Sequence, residues 1–143
     1  MSKLFIDTSA FVALADSRDD NHAAAAQFNK NTQGQSLFTS NYILDELHTL
    51  LLLNVGYPKT IQFKTKLDRL VQARLLTVVW ITEDLAGQAW NIFQRFNTDK
   101  QWSFTDCSSY VIMKDQAIAD VFTYDHHFAQ MGFTMKGRTN SAT

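Results

Sequence analysis

The chain has 143 residues, 45% of them hydrophobic and 19% charged, and its 13 basic and 14 acidic side chains give a net charge of −1. These values predict one domain around one core, and they exclude intrinsic disorder, a fibrous repeat and a strongly basic nucleic-acid binder. The single cysteine, Cys107, excludes an internal disulfide and a cysteine-based zinc ribbon. Without a signal-peptide pattern or an apolar run near the roughly 18 residues of a membrane span, we expect a soluble, cytoplasmic protein.

Short β-rich runs alternate with longer runs of helical period, which predicts βα units and a mostly parallel sheet. Residues 3–6 form the first predicted strand, and a short helix follows near residues 11–15. An alanine-rich helix is predicted at 21–30 and a second strand at 37–39. The next helix runs from about residue 41 to 54, because its Ile and Leu residues recur at the i, i+3 and i+4 spacing of a buried face.

A basic helix is predicted next. Gly56 ends the preceding helix, and Pro58 suits the first turn of one that continues to about residue 74. Four of its apolar residues are expected to face inward: Ile61, Leu67, Leu70 and Val71. Its basic side chains, which face a single Asp in the same segment, are Lys59, Lys64, Lys66, Arg69 and Arg74. They suit either a solvated helix face or a surface that attracts phosphate groups.

The remaining elements bring the predicted sheet to four or five strands. Strands are predicted at residues 77–82 and 121–124, an edge strand at 133–135, and helices at 83–96 and from about Thr105 onward. We expect one domain over residues 1–136 and a polar tail over residues 137–143.

Four carboxylates are the candidates for chemistry, namely Asp7, Glu46, Asp106 and Asp125. Asp7 and Asp125 each follow a predicted strand, and the carboxyl ends of parallel strands form the ligand crevice of an open α/β sheet. Asp106 opens a helix, where backbone N–H groups favour acidic oxygens. Each of these three also suits a plain helix cap, and Ser103 with Asp106 matches a capping box.

Glu46 is harder to explain as a structural residue, because Tyr42, Ile43 and Leu50 surround it with an apolar helix face. A carboxylate held against such a face needs a cation, and no Lys or Arg lies at helical spacing within that helix. The simplest cation that four converging carboxylates could share is a divalent metal ion. Hard oxygen ligands suit Mg²⁺ or Mn²⁺.

Four segments of the chain, FIDTSAF, ILDEL, SFTDCSSY and FTYDHHF, together resemble the PIN-domain ribonucleases, most closely the VapC-type toxins of bacterial toxin–antitoxin pairs. The resemblance runs nearly end to end, and it places all four candidate carboxylates at the acidic positions of the family. It implies a three-layer α/β/α fold around the parallel sheet. The activity it implies is metal-dependent hydrolysis of RNA phosphodiester bonds by an endoribonuclease toxin.

The resemblance also implies roles for neighbouring residues and for partners. Thr8 would bind a ligand water or orient Asp7, and Asn41 would be a polar neighbour of the site, although both also suit helix caps. Some PIN domains carry a further acid where this chain has Ser108 and Ser109, which leaves open whether one or two metal ions bind. A small antitoxin protein and a homodimer are implied, and the basic helix then suits RNA binding.

Other residues are expected to have structural roles. His126 and His127 follow Asp125, and we expect them to lie at the surface or to pack in a turn. The alternative functions are a non-catalytic, acidic receiver-like module and an RNA-binding scaffold. A receiver-like module needs a Lys near the end of a late strand, where this chain has Asp125 and the two histidines. A HAD-type phosphatase needs a second Asp where this chain has Ser9.

Overall fold

The structure is a computed structural model, and it describes residues 2–138. Within this part of the chain, one sheet is formed by the strands β1 Lys3–Ile6, β2 Ser36–Ser40, β3 Leu76–Val79, β4 Asp120–Phe122 and β5 Thr134–Lys136. Their order across the sheet is β3-β2-β1-β4-β5, and each neighbouring pair is parallel. The predicted polar tail lies outside the described residues from position 139 onward.

The strands are connected by the helices α1 Thr8–Ala15, α2 His22–Asn29, α3 Asn41–Val55, α4 Tyr57–Gln72, α5 Glu83–Phe96, α6 Phe104–Asp115 and α7 His127–Gln130. Most bounds agree with the prediction to within a few residues, and those of α5 agree fully. The sequence did not predict α7, because a helix of 4 residues is too short to show a hydrophobic period. Among residues 2–138, no helix is both long and apolar enough to cross a membrane.

The direction of the connections explains why helices cover both faces of the sheet. From β1 the chain moves through β2 to β3 on one side, and it later crosses to β4 and β5 on the other side. Right-handed crossovers in opposite directions place α1–α4 on one face and α5–α6 on the other. The predicted three-layer fold is confirmed, with an all-parallel sheet of five strands. The strand order reverses between β1 and β4, and a ligand crevice is expected at their carboxyl ends.

The two strands beside this crevice are buried in the core. Leu4 and Phe5 of β1 and Val121 of β4 have no exposed surface. Covering of both sheet faces explains why these strands are continuous apolar runs instead of alternating patterns. The backbone N–H of Asp7 donates to the carbonyl of Phe122 at 3.1 Å, so the pairing of β1 with β4 continues into the loop that carries Asp7.

The helices α3 and α4 meet at a glycine. At the start of α3, the Ser40 hydroxyl accepts the backbone N–H of Ile43 at 3.2 Å and so caps the helix. Gly56, with a φ of +86°, joins the end of α3 to the start of α4 in a conformation that residues with a Cβ rarely adopt. The antiparallel packing of α4 against α3 therefore depends on a residue without a side chain.

Two of the four residues expected to face inward from α4 do so. Leu67 is buried and Leu70 is partly buried, whereas Ile61 and Val71 are 48% and 39% exposed. The buried stripe of α4 follows steps of three and four residues through Thr60, Phe63, Leu67 and Leu70. Ile61 and Val71 each lie one position beyond this stripe, which rotates them by about 100° around the helix and toward solvent.

Candidate active site

The four predicted carboxylates line one open pocket of about 390 Å³ at the carboxyl ends of β1 and β4. Asp7 directly follows β1, and Asp125 lies in the loop after β4. Asp106 belongs to the first turn of α6, and Glu46 comes from the middle of α3. The fold therefore brings together acids from four separate parts of the chain.

Hydrogen bonds position the Asp7 carboxylate through one of its two oxygens. Oδ2 accepts the hydroxyl of Thr123 at 2.8 Å and the hydroxyl of Ser9 at 2.9 Å. Thr123 is fully buried, and its hydroxyl also accepts the backbone N–H of Asp125 at 3.0 Å. One hydroxyl thus connects the acid after β1 with the acid after β4. Neither Ser9 nor Thr123 has a predicted role in the site, although both lie inside the segments that carry the family resemblance.

The environment of Asp7 disfavours its charged form. Its pKa is raised from 3.8 to about 6, first because the side chain is buried and also because the Asp106 carboxylate is close. The hydrogen bonds from Thr123 and Ser9 lower the pKa and offset part of this effect. A cation in the pocket would favour the ionised carboxylate.

Asp106 is both a helix cap and a pocket acid. Ser103 Oγ accepts the backbone N–H of Asp106 at 3.0 Å, and Asp106 Oδ2 accepts the backbone N–H of Ser103 at 3.3 Å, which completes the predicted capping box. Burial raises the pKa of Asp106, the contact with His127 lowers it, and the negative charge of Asp125 raises it. The sequence left open whether Asp106 is a helix cap or a functional acid, and the structure shows that it caps α6 and also lines the acidic pocket.

His127 lies among these acids. Its Nδ1 is 3.0 Å from Asp106 Oδ2 and 3.3 Å from Asp125 Oδ1, and its side chain is 22% exposed. Its backbone N–H also donates to Asp125 Oδ1, at 2.9 Å, so the turn into α7 holds the ring in place. The sequence predicts only a surface or turn-packing role for His127. One signal in the sequence could have indicated a role in the site, namely that His127 lies two residues after a candidate acid. Its contact with Asp106 joins two separate elements, so no local pattern predicts that contact.

Glu46 reaches the pocket from an exposed position, so its predicted burial against an apolar face is wrong. Leu50, one turn further along α3, is 36% exposed, and Leu53 is 75% exposed. This face of α3 borders the pocket and solvent, while the core face of the helix consists of Ile43, Leu47 and Leu51. Because Glu46 is exposed, its charge does not need a neighbouring cation. Only its position in the pocket supports a role in metal binding.

Thr8 lies in the pocket, whereas Asn41 does not belong to the group that lines it. Thr8 is 4% exposed, and its hydroxyl has no hydrogen-bond partner among the described residues. Asn41 Oδ1 accepts the backbone N–H of Ile81 at 2.6 Å, which connects α3 to the segment after β3. The cap of α3 is Ser40, so Asn41 is the first residue of the helix.

The donor groups of the pocket fit a divalent cation. Carboxylate oxygens are the hard ligands that Mg²⁺ and Mn²⁺ prefer. One ligand atom from each of Asp106, Asp125 and His127 lies within 4.8 Å of the other two. The buried hydroxyl of Thr8 is a further polar group that needs a partner at this place.

The predicted basic side chains do not line the acidic pocket. Lys59, Lys66 and Arg69 of α4 are exposed, and so is Arg74, which lies two residues beyond the end of α4 at Gln72 and not within the helix as predicted. The fifth, Lys64, is partly buried and pairs with Asp68 at 2.6 Å. The positive charge thus lies on the outer surface of α4, as either a solvated face or a phosphate-attracting surface requires.

The residues that follow Asp106 on α6 face the interior. Cys107 is fully buried, and burial raises the pKa of its thiol to about 11. Ser108 and Ser109 are 0% and 1% exposed, and neither lines the acidic pocket. The two positions where some related domains carry a further acid therefore contribute no ligand to this pocket.

Comparisons with known proteins show the family of this chain and its fold. A family model of the PIN domain matches residues 4–134. The 23S rRNA-specific endonuclease VapC20 of Mycobacterium tuberculosis is 30% identical over 133 residues, which cover 91% of this chain and 95% of the relative. The crystal structure of VapC20, a sarcin-ricin loop cleaving toxin, matches with a TM-score of 0.81 at 26% identity and covers 92% of this chain and 96% of that one.

Two more distant structures share the fold. FitAcB from Neisseria gonorrhoeae has a TM-score of 0.67 at 16% identity, and the match covers 92% of this chain and 95% of that one. VapBC2 from Rickettsia felis, bound to a DNA fragment from its promoter, has a TM-score of 0.64 at 12% identity over 94% and 97% of the two chains. The family match agrees with the predicted resemblance and not with a receiver-like module. The chain belongs to the PIN-domain family and is a homologue of VapC20.

Proposed function

We propose that this protein is a divalent-metal-dependent endoribonuclease and the toxin of a VapC-type toxin–antitoxin pair. One observation carries the proposal, namely that Asp7, Glu46, Asp106 and Asp125 line a single pocket where the strand order reverses. Homology to VapC20, an endonuclease specific for 23S rRNA, supports the class of RNA-cleaving hydrolase. The activity and the metal-binding role of each acid are open to direct test.

The four acids would hold Mg²⁺ or Mn²⁺ in the pocket. A bound divalent ion supplies positive charge for the phosphate group in the transition state and lowers the pKa of attacking water. The protein contributes the positioning of its acids. Asp7 and Asp106 are held through Oδ2, and Asp125 is held through Oδ1. Since a carboxylate has two oxygens, each of these three acids keeps one oxygen available to a ligand.

RNA is the proposed substrate, and the exposed basic side chains of α4 are proposed to attract its backbone. Phosphate contacts of this kind give affinity without reading sequence. We expect a toxin that cleaves cellular RNA to act in the cytoplasm. The structures of VapBC2 and of FitAB bound to DNA support an antitoxin partner for this chain as well, and we expect a homodimer.

Cleavage of RNA tests this proposal. The purified protein is incubated with RNAs that include the sarcin–ricin loop of 23S rRNA, in Mg²⁺, in Mn²⁺ or in EDTA. We expect cleavage with metal, none in EDTA, and at least about a 100-fold lower rate for Asp106→Asn, because one ligand that carries charge is removed. Asparagine retains an oxygen for the Ser103 N–H, so the cap of α6 and the fold should persist.

Asp115→Asn is the matched control, because Asp115 is exposed at the far end of the same helix. This variant should cleave at the wild-type rate. Wild-type cleavage by a folded Asp106→Asn protein would reject the assigned site. A wild-type protein that binds these RNAs but cleaves none of them would favour the scaffold alternative.

A further inference from the structure

His127 is the histidine among the described residues that lies between two pocket acids. Its Nδ1 is 3.0 Å from Asp106 Oδ2 and 3.3 Å from Asp125 Oδ1. The four acids implied by family membership do not include it, and the mechanism proposed above does not use it. Its neighbour His126 is exposed and does not line the acidic pocket.

The position of the His127 ring is built into the fold. Its backbone N–H donates to Asp125 Oδ1 at 2.9 Å, which fastens the first residue of α7 to the loop after β4. The next residue, Phe128, is fully buried and anchors the short helix in the core. The backbone that carries the ring is therefore fixed beside the pocket, and 22% of the side chain is exposed.

His127 Nδ1 lies from an oxygen of each of the two carboxylates at the spacing of adjacent ligands around one ion. Ligands at about 2.1 Å from an octahedral ion lie about 3 Å apart when they are neighbours. The two distances from Nδ1 to the carboxylate oxygens, 3.0 and 3.3 Å, match this separation. A carboxylate oxygen also has lone pairs for two contacts, so the hydrogen bonds of Asp106 and Asp125 do not prevent them from binding an ion.

A second observation points to a ligand in the same pocket. The hydroxyl of Thr8 is buried, lines the pocket and has no partner among the described residues. Buried hydroxyl groups in folded proteins are nearly always satisfied by protein, water or an ion. The cluster of Asp106, Asp125 and His127 thus lines the same pocket as a buried hydroxyl that needs a polar partner.

We propose that His127 is a metal ligand through Nδ1 and that it shares one ion with Asp106 and Asp125. An imidazole ligand is softer than a carboxylate and favours transition metals, whereas Mg²⁺ prefers an all-oxygen site. The site is therefore selective for Mn²⁺ over Mg²⁺. This inference rests on the proposed function in one respect, namely that the pocket holds a divalent ion.

Pulsed electron paramagnetic resonance on the Mn²⁺-loaded protein tests the inference without any measurement of activity. We expect electron spin echo modulation from a directly coordinated ¹⁴N nucleus, and the modulation should change to that of ¹⁵N when the protein contains ¹⁵N-histidine. The nitrogen signal should disappear in His127→Gln and persist in His126→Gln. A signal that is lost only in His126→Gln, or no nitrogen signal in the Mn²⁺-loaded wild type, would overturn the assignment.

Binding titrations measure the predicted selectivity. His127→Gln should weaken Mn²⁺ binding by at least about 10-fold, as expected for loss of a group that holds a metal, and should weaken Mg²⁺ binding less. His126→Gln should bind both ions as the wild type does. Weaker Mn²⁺ binding by His127→Gln together with a wild type that lacks nitrogen coupling would show that His127 only positions the acids, which contradicts the inference.

The outcomes separate this inference from the proposed function. If the folded wild type binds no Mn²⁺ or Mg²⁺, the proposed function fails and the inference fails with it. If the wild type binds Mn²⁺ and cleaves RNA without nitrogen coupling, only the inference fails. Thermal melting in EDTA checks that each variant is folded. If His127→Gln does not fold, the isotope-labelled wild type and His126→Gln still decide the question.

Discussion

Thr123 is the residue through which the fold connects two of its acids. Its hydroxyl donates to Asp7 at 2.8 Å and accepts the backbone N–H of Asp125 at 3.0 Å. Because it is fully buried, neither contact can be replaced readily by water. The Thr123 hydroxyl therefore helps to fix the relative position of the two loops after β1 and β4, together with the Ser9 hydroxyl, which accepts the backbone N–H of Tyr124 at 2.9 Å.

We predict that Thr123→Val lowers both the free energy of unfolding and the metal affinity. Loss of the hydroxyl removes a buried donor from the Asp7 carboxylate and takes the partner from the part-buried N–H of Asp125, which costs about 1–3 kcal/mol. The matched control is Thr39→Val, since Thr39 is also fully buried and donates to the Ile6 carbonyl at 3.0 Å. Both variants should lose similar stability in urea denaturation. Only Thr123→Val should weaken Mn²⁺ binding, and equal Mn²⁺ affinities in the two variants would contradict the role of Thr123.

The raised pKa of Asp7 predicts that pH acts in opposite directions on stability and on metal binding. The folded pKa of about 6 lies above the ordinary value of 3.8 for this side chain, so between these values the folded state holds more protons than the unfolded state. Without metal, the free energy of unfolding should therefore fall as the pH rises from 5 to 7.5, by roughly 1–2 kcal/mol from this residue. Metal binding requires the ionised carboxylate and should strengthen over the same interval.

Denaturation in EDTA and Mn²⁺ titrations at pH 5, 6 and 7.5 measure these two trends. Asp7→Asn is the reference, because it removes the titrating group while it keeps an oxygen for the Thr123 and Ser9 hydroxyls. The difference in stability between wild type and variant should change with pH in the stated direction. A difference that is constant over this range would mean that the pKa of Asp7 is not raised.

At the scale of secondary-structure elements, α4 is proposed to supply positive charge for RNA while α3, α6 and the strand ends supply the acids. We predict that Lys66→Gln with Arg69→Gln weakens RNA binding and lowers the slope of log affinity against log salt by about 1.4, which corresponds to two phosphate contacts on single-stranded RNA. The cleavage rate at saturating RNA should not change, since neither residue lines the acidic pocket.

The control for this prediction is Lys3→Gln with Lys114→Gln. Lys3 begins β1 at the end opposite the pocket, and Lys114 lies in the last turn of α6. This variant loses the same charge at places far from the carboxyl ends of the strands, so its salt slope should remain close to that of the wild type. Equal slopes for the two double variants would mean that α4 acts only through the net charge of the protein.

The order and type of the longer elements could be predicted from the sequence, because hydrophobic period and capping residues are local signals. The inward face of α4 was predicted only in part. Leu67 and Leu70 lie on the buried stripe, but Ile61 and Val71 are apolar residues on the outer surface. Composition alone does not distinguish these cases, since many apolar residues remain exposed in folded proteins.

The meeting of the acids could also be predicted, because strand ends in a parallel sheet lie at one edge. The environment of each acid could not be predicted from the sequence. Glu46 is exposed although its neighbours on the helix are apolar, since this part of α3 faces the pocket and not the core. The contact between His127 and Asp106 joins two elements that no local period relates. Such contacts depend on tertiary packing and require the structure.

At the scale of the whole molecule, topology places negative charge at one edge of the sheet. The chain builds β2 and β3 on one side of β1, and then β4 and β5 on the other, so a crevice opens between the loops that carry Asp7 and Asp125. The helix N-terminus at Asp106 reaches the same edge. The central claim is that this arrangement binds a divalent ion.

Anomalous X-ray diffraction from crystals of the protein grown with Mn²⁺ tests this claim most directly, because it locates the ion without any assumption about activity. The arrangement predicts a strong anomalous peak in the pocket between Asp7, Asp106 and Asp125, and it predicts that the peak disappears in crystals of Asp106→Asn. An empty pocket at millimolar Mn²⁺ near pH 7.5, with all three carboxylates in the positions described above, would contradict it.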